Sequence, residues 1–405
     1  MMAVLAPGFI ASGQALRLVG SGYADRLQHS RAGAALVQAS SGGFETANQD
    51  TPRFQGAARR LLVEEARSNF LRNPRGEGAT PGSGSARLPE YWQIDGTVPG
   101  ITVLATGVED GLPFVEVRFT GSSTFAIRFD AANPLTAISG QSYASSFFLR
   151  LTGGSLSNLL IQNNFITGGS AQSSLAVTPV DQSLGRQRTT WIWTHSGSAT
   201  SLVNRLRFQA GGSFDVTLRI AAPQLEIGAT ATSPILPPAG TMAMTTRAAD
   251  QPFWDHPLAF NAAGTLLLQA QLPQAAPAGL EQGLLQLDDG TDQNRLVLCN
   301  AAGGSSVQGF PVIGGAALAA LSAGDMVPGQ PFRIALAWSP AGLALCLNGA
   351  AVQSTSSSMP AALNRLLVGH ASAALNKAAN GEIAELHLSA ARLPDSHLRA
   401  MTAAA

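Results

Sequence analysis

The chain has 405 residues, enough for two or three domains, and its 25 basic and 25 acidic side chains cancel to zero formal charge. Charged residues are only 12% of the chain and nearly all the basic ones are arginine; the absence of a basic cluster argues against a nucleic-acid face, and the dispersed acids imply no electrostatic partner. With 43 Gly and 23 Pro, and Ser, Thr, Asn and Gln supplying most of the polarity, the composition suits many short strands joined by tight turns and suits long amphipathic helices poorly.

The first stretch, MMAVLAPGFIASGQALRL, is mildly apolar but has no basic segment ahead of its apolar run. It is therefore expected to be structured chain rather than a secretory signal peptide. No run of about 20 apolar residues suited to a membrane helix occurs anywhere. Residues 1–60 are expected to form a small β-hairpin region with an anchoring role. In AALVQASSGGFETA, apolar alternation flanks a turn at Gly42 and Gly43. So short a region buries little core alone, so it is expected to pack on a neighbouring chain, another protein or the following domain. Next, RRLLVEEARSN places a strand at Leu61, Leu62 and Val63, followed by Glu64 and Glu65. Glu64 is expected to pair with Arg67, or either glutamate with an arginine such as Arg247, unless these are simply solvated surface charges.

Residues 61–233 read as one antiparallel sandwich. Strand candidates recur throughout, among them ITVLATGV, PFVEVRFTG, TTWIWTHSG and NRLRFQAGG. In FDVTLRI, Phe214, Val216, Leu218 and Ile220 fall on one face, and Asp215, Thr217 and Arg219 on the other, as a half-buried strand requires. Residues 234–255 form a Pro-rich linker with Pro234, Pro237 and Pro238, which deny it a sheet interior. Residues 256–405 repeat the strand-and-turn pattern, with Asp-Gly and Asn-Gly at hairpin turns. Trp338 shares its strand face with Ile334 and Leu336 and is expected in the core, while Trp254 is placed to staple the two domains. PDSHLRAMTAAA reads as a short terminal helix with Asp395 or Ser396 near its start. Cys299 and Cys346 lie in apolar strand patterns and read as buried free thiols or as a disulfide. The fold class is thus all-β: two antiparallel sandwiches, or jelly rolls, in tandem after a hairpin region.

Three stretches together carry a family resemblance. DTPRFQGAARRLLVEEARSNFLRNP resembles the opening of a module found in many phage tail-fibre and spike proteins, and IAAPQLEIGATATSPILPPAGTMAMTTRAAD resembles its close. The strand order between them is similar to a carbohydrate-binding-module jelly roll. Downstream, IALAWSPAGLALCLNG, LLVGH and NGEIAELHLSAARLPDSHLRAM resemble a concanavalin-A-like, laminin-G-type sandwich. The resemblance covers residues 51–401, and SRAGAALV is similar to a phrase that precedes such modules. It implies a spike or fibre of a tailed phage or gene-transfer-agent particle that adheres to host surface glycan. The chain departs from many of these in having no long coiled coil or β-helix.

Chemistry is sparse. Glu382 and Glu385 are three apart, so a flat strand turns them to opposite faces, and they do not read as a glycosidase pair. No GxSxG, HExxH or phosphate loop occurs. Asp288, Asp289 and Asp292 offer hard oxygen ligands, and laminin-G-type sandwiches sometimes hold calcium at a rim, but an Asp-Asp-Gly hairpin explains them as turn residues. No other cofactor is expected. Sugar binding needs aromatic faces beside polar groups. Tyr91 and Trp92 supply one pair, and Trp191, Trp193 and His195 share a strand face, unless the tryptophans fill the core.

The leading expectation is a non-catalytic virion surface protein, made in the bacterial cytoplasm. It binds host polysaccharide through its sandwiches, contacts other virion proteins through the N-terminal region and forms a homo-oligomer, with no nucleic-acid or membrane partner. The alternatives are a purely structural spacer or assembly protein of such a particle and, further off, a glycan depolymerase.

Overall fold

The period-two pattern builds the molecule. A computed structural model of the protein describes residues 15–255 and 262–403. The fold is all-β, with antiparallel pairing between its strands and, among the described residues, one α-helix, Asp395–Ala403. Two compact units divide the chain, and each is a sandwich of two sheets.

One unit is built from Ala35–Thr46 and Arg67–Arg247. Its first sheet runs in the order Arg188–Thr194, Ser142–Gly154, Phe214–Ile227, Leu112–Gly121, Gly100–Glu109 and Gly82–Ser83. Its second runs Ser170–Val177, Leu159–Thr167, Ser201–Ala210, Phe125–Phe129 and Trp92–Gly96, with Leu135–Thr136 alongside Ser201–Ala210. Phe214, Val216, Leu218 and Ile220 are buried while Asp215, Thr217 and Arg219 point away, as the alternation requires. The core is phenylalanine-rich: Phe125 and Phe208 stack with centroids 4.5 Å apart, and Phe119 packs on both.

The hairpin anticipated around Gly42 is present, with Ala35–Gln38 paired to Phe44–Ala47 and Gly42 at φ 95°. It packs on this sandwich. The Phe44 amide donates to the Asp110 carbonyl at 2.6 Å, and the Phe44 ring meets Phe148 edge-on at 5.4 Å. Gly111 lies where a side chain would strike the Phe44 carbonyl, and its φ of 76° also favours glycine.

The other unit is built from the described residues of Met1–Ala34, from Ala47–Ala66 and from the described residues of Ala248–Ala405. One of its eight-stranded sheets centres on Gly264–Gln271, which lies between Pro331–Ser339 and Gly381–Ser389. Two N-terminal segments complete it: Leu16–Val19 pairs with Gly381–Ser389 near Leu388, and Arg60–Val63 pairs with the same strand near Ile383. In the facing sheet, Gln28–Ser30 pairs with Gln251–Asp255. Apart from the two-stranded hairpin of Ala35–Gln38 and Phe44–Ala47, the described residues of 1–60 thus contribute strands to larger sheets rather than a region of their own, because such short segments cover their apolar sides only by joining an existing core. The stretch 234–255 is likewise shared. Its residues through Arg247 fall with the first unit, and Gln251–Asp255 is a strand of the second.

Trp338 is buried in this second core, and Trp254 packs partly buried against it. The hairpin turn at Asn348 and Gly349 has φ of 47° and 73°, the left-handed pair that an Asn-Gly turn supplies. Both cysteines are free and buried, and burial pushes the Cys299 thiol up to about 12. One strand departs from the sequence expectation. A bulge in Gly381–Ser389 leaves Ala384 without a partner between Ile383 and Glu385. It returns Glu385 to the outward side with Glu382, while Ile383, Leu386 and Leu388 stay in the core.

Candidate functional site

The aromatic residues singled out in the sequence lie close to the first core. Trp92 is only 6% exposed, packs edge-on against Phe129 at 5.1 Å, and donates its indole N–H to the Asn73 carbonyl. Tyr91 is half-buried at φ 68°, with the Arg72 guanidinium 4.0 Å above its ring and Arg72 in turn paired to Asp130. Trp191 and Trp193 are half-buried on the edge strand Arg188–Thr194, and both rings lean on Phe165 at 4.9 and 5.3 Å. His195 does continue their face, 5.2 Å from Trp193, but it is buried and its Nε2 meets the Ala199 carbonyl at 2.9 Å. The structure therefore gathers Trp191, Trp193 and His195 around Phe165, and places Trp92 and Tyr91 in a separate cluster with Phe129, Arg72 and Asp130.

The outer face of the second sheet in the same unit carries a different set. Alternation sends Phe125, Ile127, Leu206 and Phe208 inward, and so sends Arg128, Arg205 and Arg207 outward. Register lines up Gln93, Arg128, Arg205, Asn164 and Ser174 across five adjacent strands. At a strand spacing of about 4.8 Å, that row spans roughly 19 Å. Beside it lies a second row containing Asp95, Arg207 and Gln162. Asp95 accepts from Arg128 at 2.8 Å and from Arg205 at 3.0 Å. Arg205 also donates to Asn164 at 2.6 Å, and Arg207 donates to Gln162 and Gln209, both at 2.7 Å.

Two guanidinium groups thus share one carboxylate, and a third, Arg207, lies beside them on side-chain amides. The Arg205 guanidinium is held below its usual range, chiefly by burial; Asp95 opposes the shift, and Arg207 and Arg128 add to it. It stays protonated, as arginine does in proteins. The Nε of Arg128 is buried with no hydrogen-bond partner among the described residues. The sequence held the signal in NRLRF, FAIRF and WQID, where polar residues alternate with apolar ones. Only the register shows that these three segments lie side by side.

The residues that carry the family resemblance have another role. Arg31 of SRAG, Arg53 of PRF, Glu64 of the glutamate pair and Asp250 of RAAD converge in one buried knot of the second unit. Arg53 is 1% exposed and joins Glu64 at 2.7 Å; it also meets Asp250, which Arg31 reaches at 2.9 Å. Glu64 is buried, so the expectation of solvated surface charge does not hold, and Arg53 is a partner the sequence reading missed. Arg247 bonds the hydroxyls of Thr232 and Ser233. In the QLE segment, Glu226 accepts from the amide and hydroxyl of Thr232 and from Gln224. These signature residues brace the chain.

The acids considered for chemistry are also engaged. Glu382 accepts from Gln55 at 2.9 Å and lies 3.5 Å from Arg60, and Glu385 lies 3.7 Å from Arg333. In the turn proposed for calcium, Asp288 takes a two-pronged bond from Arg365, Asp289 takes Thr291 and Asn294, and Asp292 takes Ser372, Ala373 and Arg295. A carboxylate filled by a guanidinium does not fit a cation, and among the described residues no group of three or more His, Cys, Asp or Glu is placed to hold a metal ion.

No family model matches the chain, and no curated protein matches it. Among solved structures, the chain is similar to the Ruminococcus gnavus IT-sialidase CBM40 bound to α2,3-sialyllactose. The identity is 16% and the TM-score 0.31, over 36% of this chain and 84% of that one. It is also similar to the CBM22-1–CBM22-2 tandem of Paenibacillus barcinonensis Xyn10C, at 10% identity and TM-score 0.27, over 82% and 99%. A third is mouse laminin α1 domains LG4-5, at 11% identity and TM-score 0.27, over 63% and 84%. Likeness this loose decides neither fold nor ligand; the strand pairing itself establishes two β-sandwiches.

Proposed function

We propose that the protein binds glycan without turning it over, through the outer face of the sheet that contains Arg128, Arg205 and Arg207. The observation that carries this reading is the row of hydrogen-bonding side chains aligned across five strands, from Gln93 to Ser174. Amide, hydroxyl and guanidinium groups on a fixed sheet match a hydroxyl-rich chain, and a rigid scaffold lowers the entropy cost of binding. In this reading Trp191 and Trp193 support the interior beside Phe165, and the ligand rests on the outer face. Binding rather than turnover is supported by Glu382 and Glu385, each of which lies beside an arginine.

The sequence resemblance supports placing the protein on a phage or gene-transfer-agent particle, as a spike or fibre that adheres to host surface polysaccharide. Contacts of single sites are weak, and a homo-oligomer or a particle carrying many copies raises avidity without new contacts. The test is binding of bead-displayed protein to a panel of neutral and acidic bacterial polysaccharides, with chromatography of the polymer afterwards. Retention of uncut polymer, lost in Gln162→Ala/Asn164→Ala with unchanged melting, is the expected result. No retention at all by the multivalent form favours a spacer or assembly protein, and shortened chains make it a depolymerase.

A further inference from the structure

The face just described is not charge-balanced. Arg128, Arg205 and Arg207 project from adjacent strands, and among the described residues Asp95 is the one carboxylate that pairs with any of them. An excess of two positive charges therefore sits on a patch of a chain whose total charge is zero. Among the described residues, Arg207 uses Nη1 alone, on two side-chain amides, and the Arg128 Nε finds no partner. Charge of one sign gathered on a sheet face repels itself and disfavours the fold by a little. It is explained if a ligand supplies the missing anion.

We propose that the glycan bound here is acidic, and that its carboxylate lies against Arg205 and Arg207 while its hydroxyls meet Gln93, Gln162 and Asn164. This rests on the glycan-binding reading and names the ligand class of the same site. A guanidinium presents parallel N–H donors that match the two oxygens of a carboxylate. Asp95 holds Arg128 and Arg205 in place, so their rotamer freedom is already lost before the ligand arrives. The amides that flank the arginines favour a sugar acid over a nucleic acid. They offer donors and acceptors suited to hydroxyls, and among the described residues the two rows of this face hold no aromatic side chain on which a base would stack.

The test uses the whole 405-residue chain on beads against polygalacturonate, alginate and hyaluronate, each beside its carboxyl-reduced form, with dextran and a single-stranded oligonucleotide as comparators. Binding of at least one uronate polymer is expected. It should weaken by about tenfold or more on carboxyl reduction and by a similar factor in Arg207→Gln, whose melting should match the parent. It should also fall as salt rises through the range where the Debye length shrinks below about 10 Å. Equal binding of native and reduced polymers, or binding of dextran alone, overturns the acidic ligand and leaves glycan binding standing. Failure to bind any polysaccharide removes both. Tighter binding to the oligonucleotide than to every polysaccharide overturns both in favour of a nucleic-acid surface.

Discussion

His370 is a single residue whose surroundings fix a proton. It is fully buried, its Nε2 meets the Asp250 carbonyl, and its Nδ1 has no partner among the described residues. The Nε2–H tautomer fits this site, and a second proton on Nδ1 would be a buried charge with nothing to accept its hydrogen bond. Burial accordingly holds its pKa below the ordinary 6.5, with the Asp250 carboxylate and carbonyl opposing. His29 and His387 are lowered too, also chiefly by burial. The unfolded chain therefore takes up these protons first as pH falls, so stability is full above about pH 6.5 and drops below it, by up to about 1.4 kcal/mol per pH unit for each group. Melting temperature should decline from about pH 7 to pH 5. His370→Gln keeps an N–H for the Asp250 carbonyl and should flatten part of that decline. A parent and variant with parallel profiles would show that His370 does not titrate in folding.

Between residue and sandwich stands the hairpin of Ala35–Gln38 and Phe44–Ala47. It covers an apolar patch of the first unit formed by Leu112, Phe114, Phe148 and Leu184, with Leu36 and Phe44 packed on it. Phe44→Ala should cost about 2–3 kcal/mol, at the lower end for phenylalanine because the ring is half-buried. In a unit of this size that lowers the melting temperature by roughly 5–10 °C, readable by calorimetry. A shift within error would mean the hairpin rests on the sandwich without stabilising it. The hairpin itself was legible, since SSGG between alternating runs has a local cause. Its docking surface was not, because Phe148 and Leu184 lie far along the chain. The same limit explains the arginine face. Alternation told which residues of NRLRF point outward, but the pairing of Arg128 with Arg205 is a matter of register between distant strands. A local irregularity also escaped: strict period two put Glu382 and Glu385 on opposite faces, and one unpaired residue, Ala384, reversed that. The charged signature phrases were visible too, yet their role as a buried knot depends on four separate segments meeting.

Taken whole, the chain is interleaved rather than strung in order, and this has a consequence for any fragment. A piece cut at the Pro-rich stretch, residues 256–405, keeps the strand Gly381–Ser389 and its neighbour Gly264–Gln271. It loses Leu16–Val19 and Arg60–Val63, which pair along the other side of Gly381–Ser389. It also loses Gln251–Asp255, the neighbour of Arg365–Val368 in the facing sheet. Two sheet edges with buried apolar side chains are thereby opened, and such edges pair with other chains. The core loses Leu16, Leu18, Leu61 and Val63, each buried in the intact unit. At about 1.5–3 kcal/mol for each such side chain, the loss is comparable with the whole stability of a typical domain. Residues 256–405 expressed alone should therefore be insoluble or bind a hydrophobic dye without a cooperative melt. The full chain should show a cooperative transition under the same conditions. A soluble, monomeric fragment with a sharp melt would mean that the N-terminal strands are accessory, and that this sandwich is a self-sufficient domain to which the rest of the chain is attached.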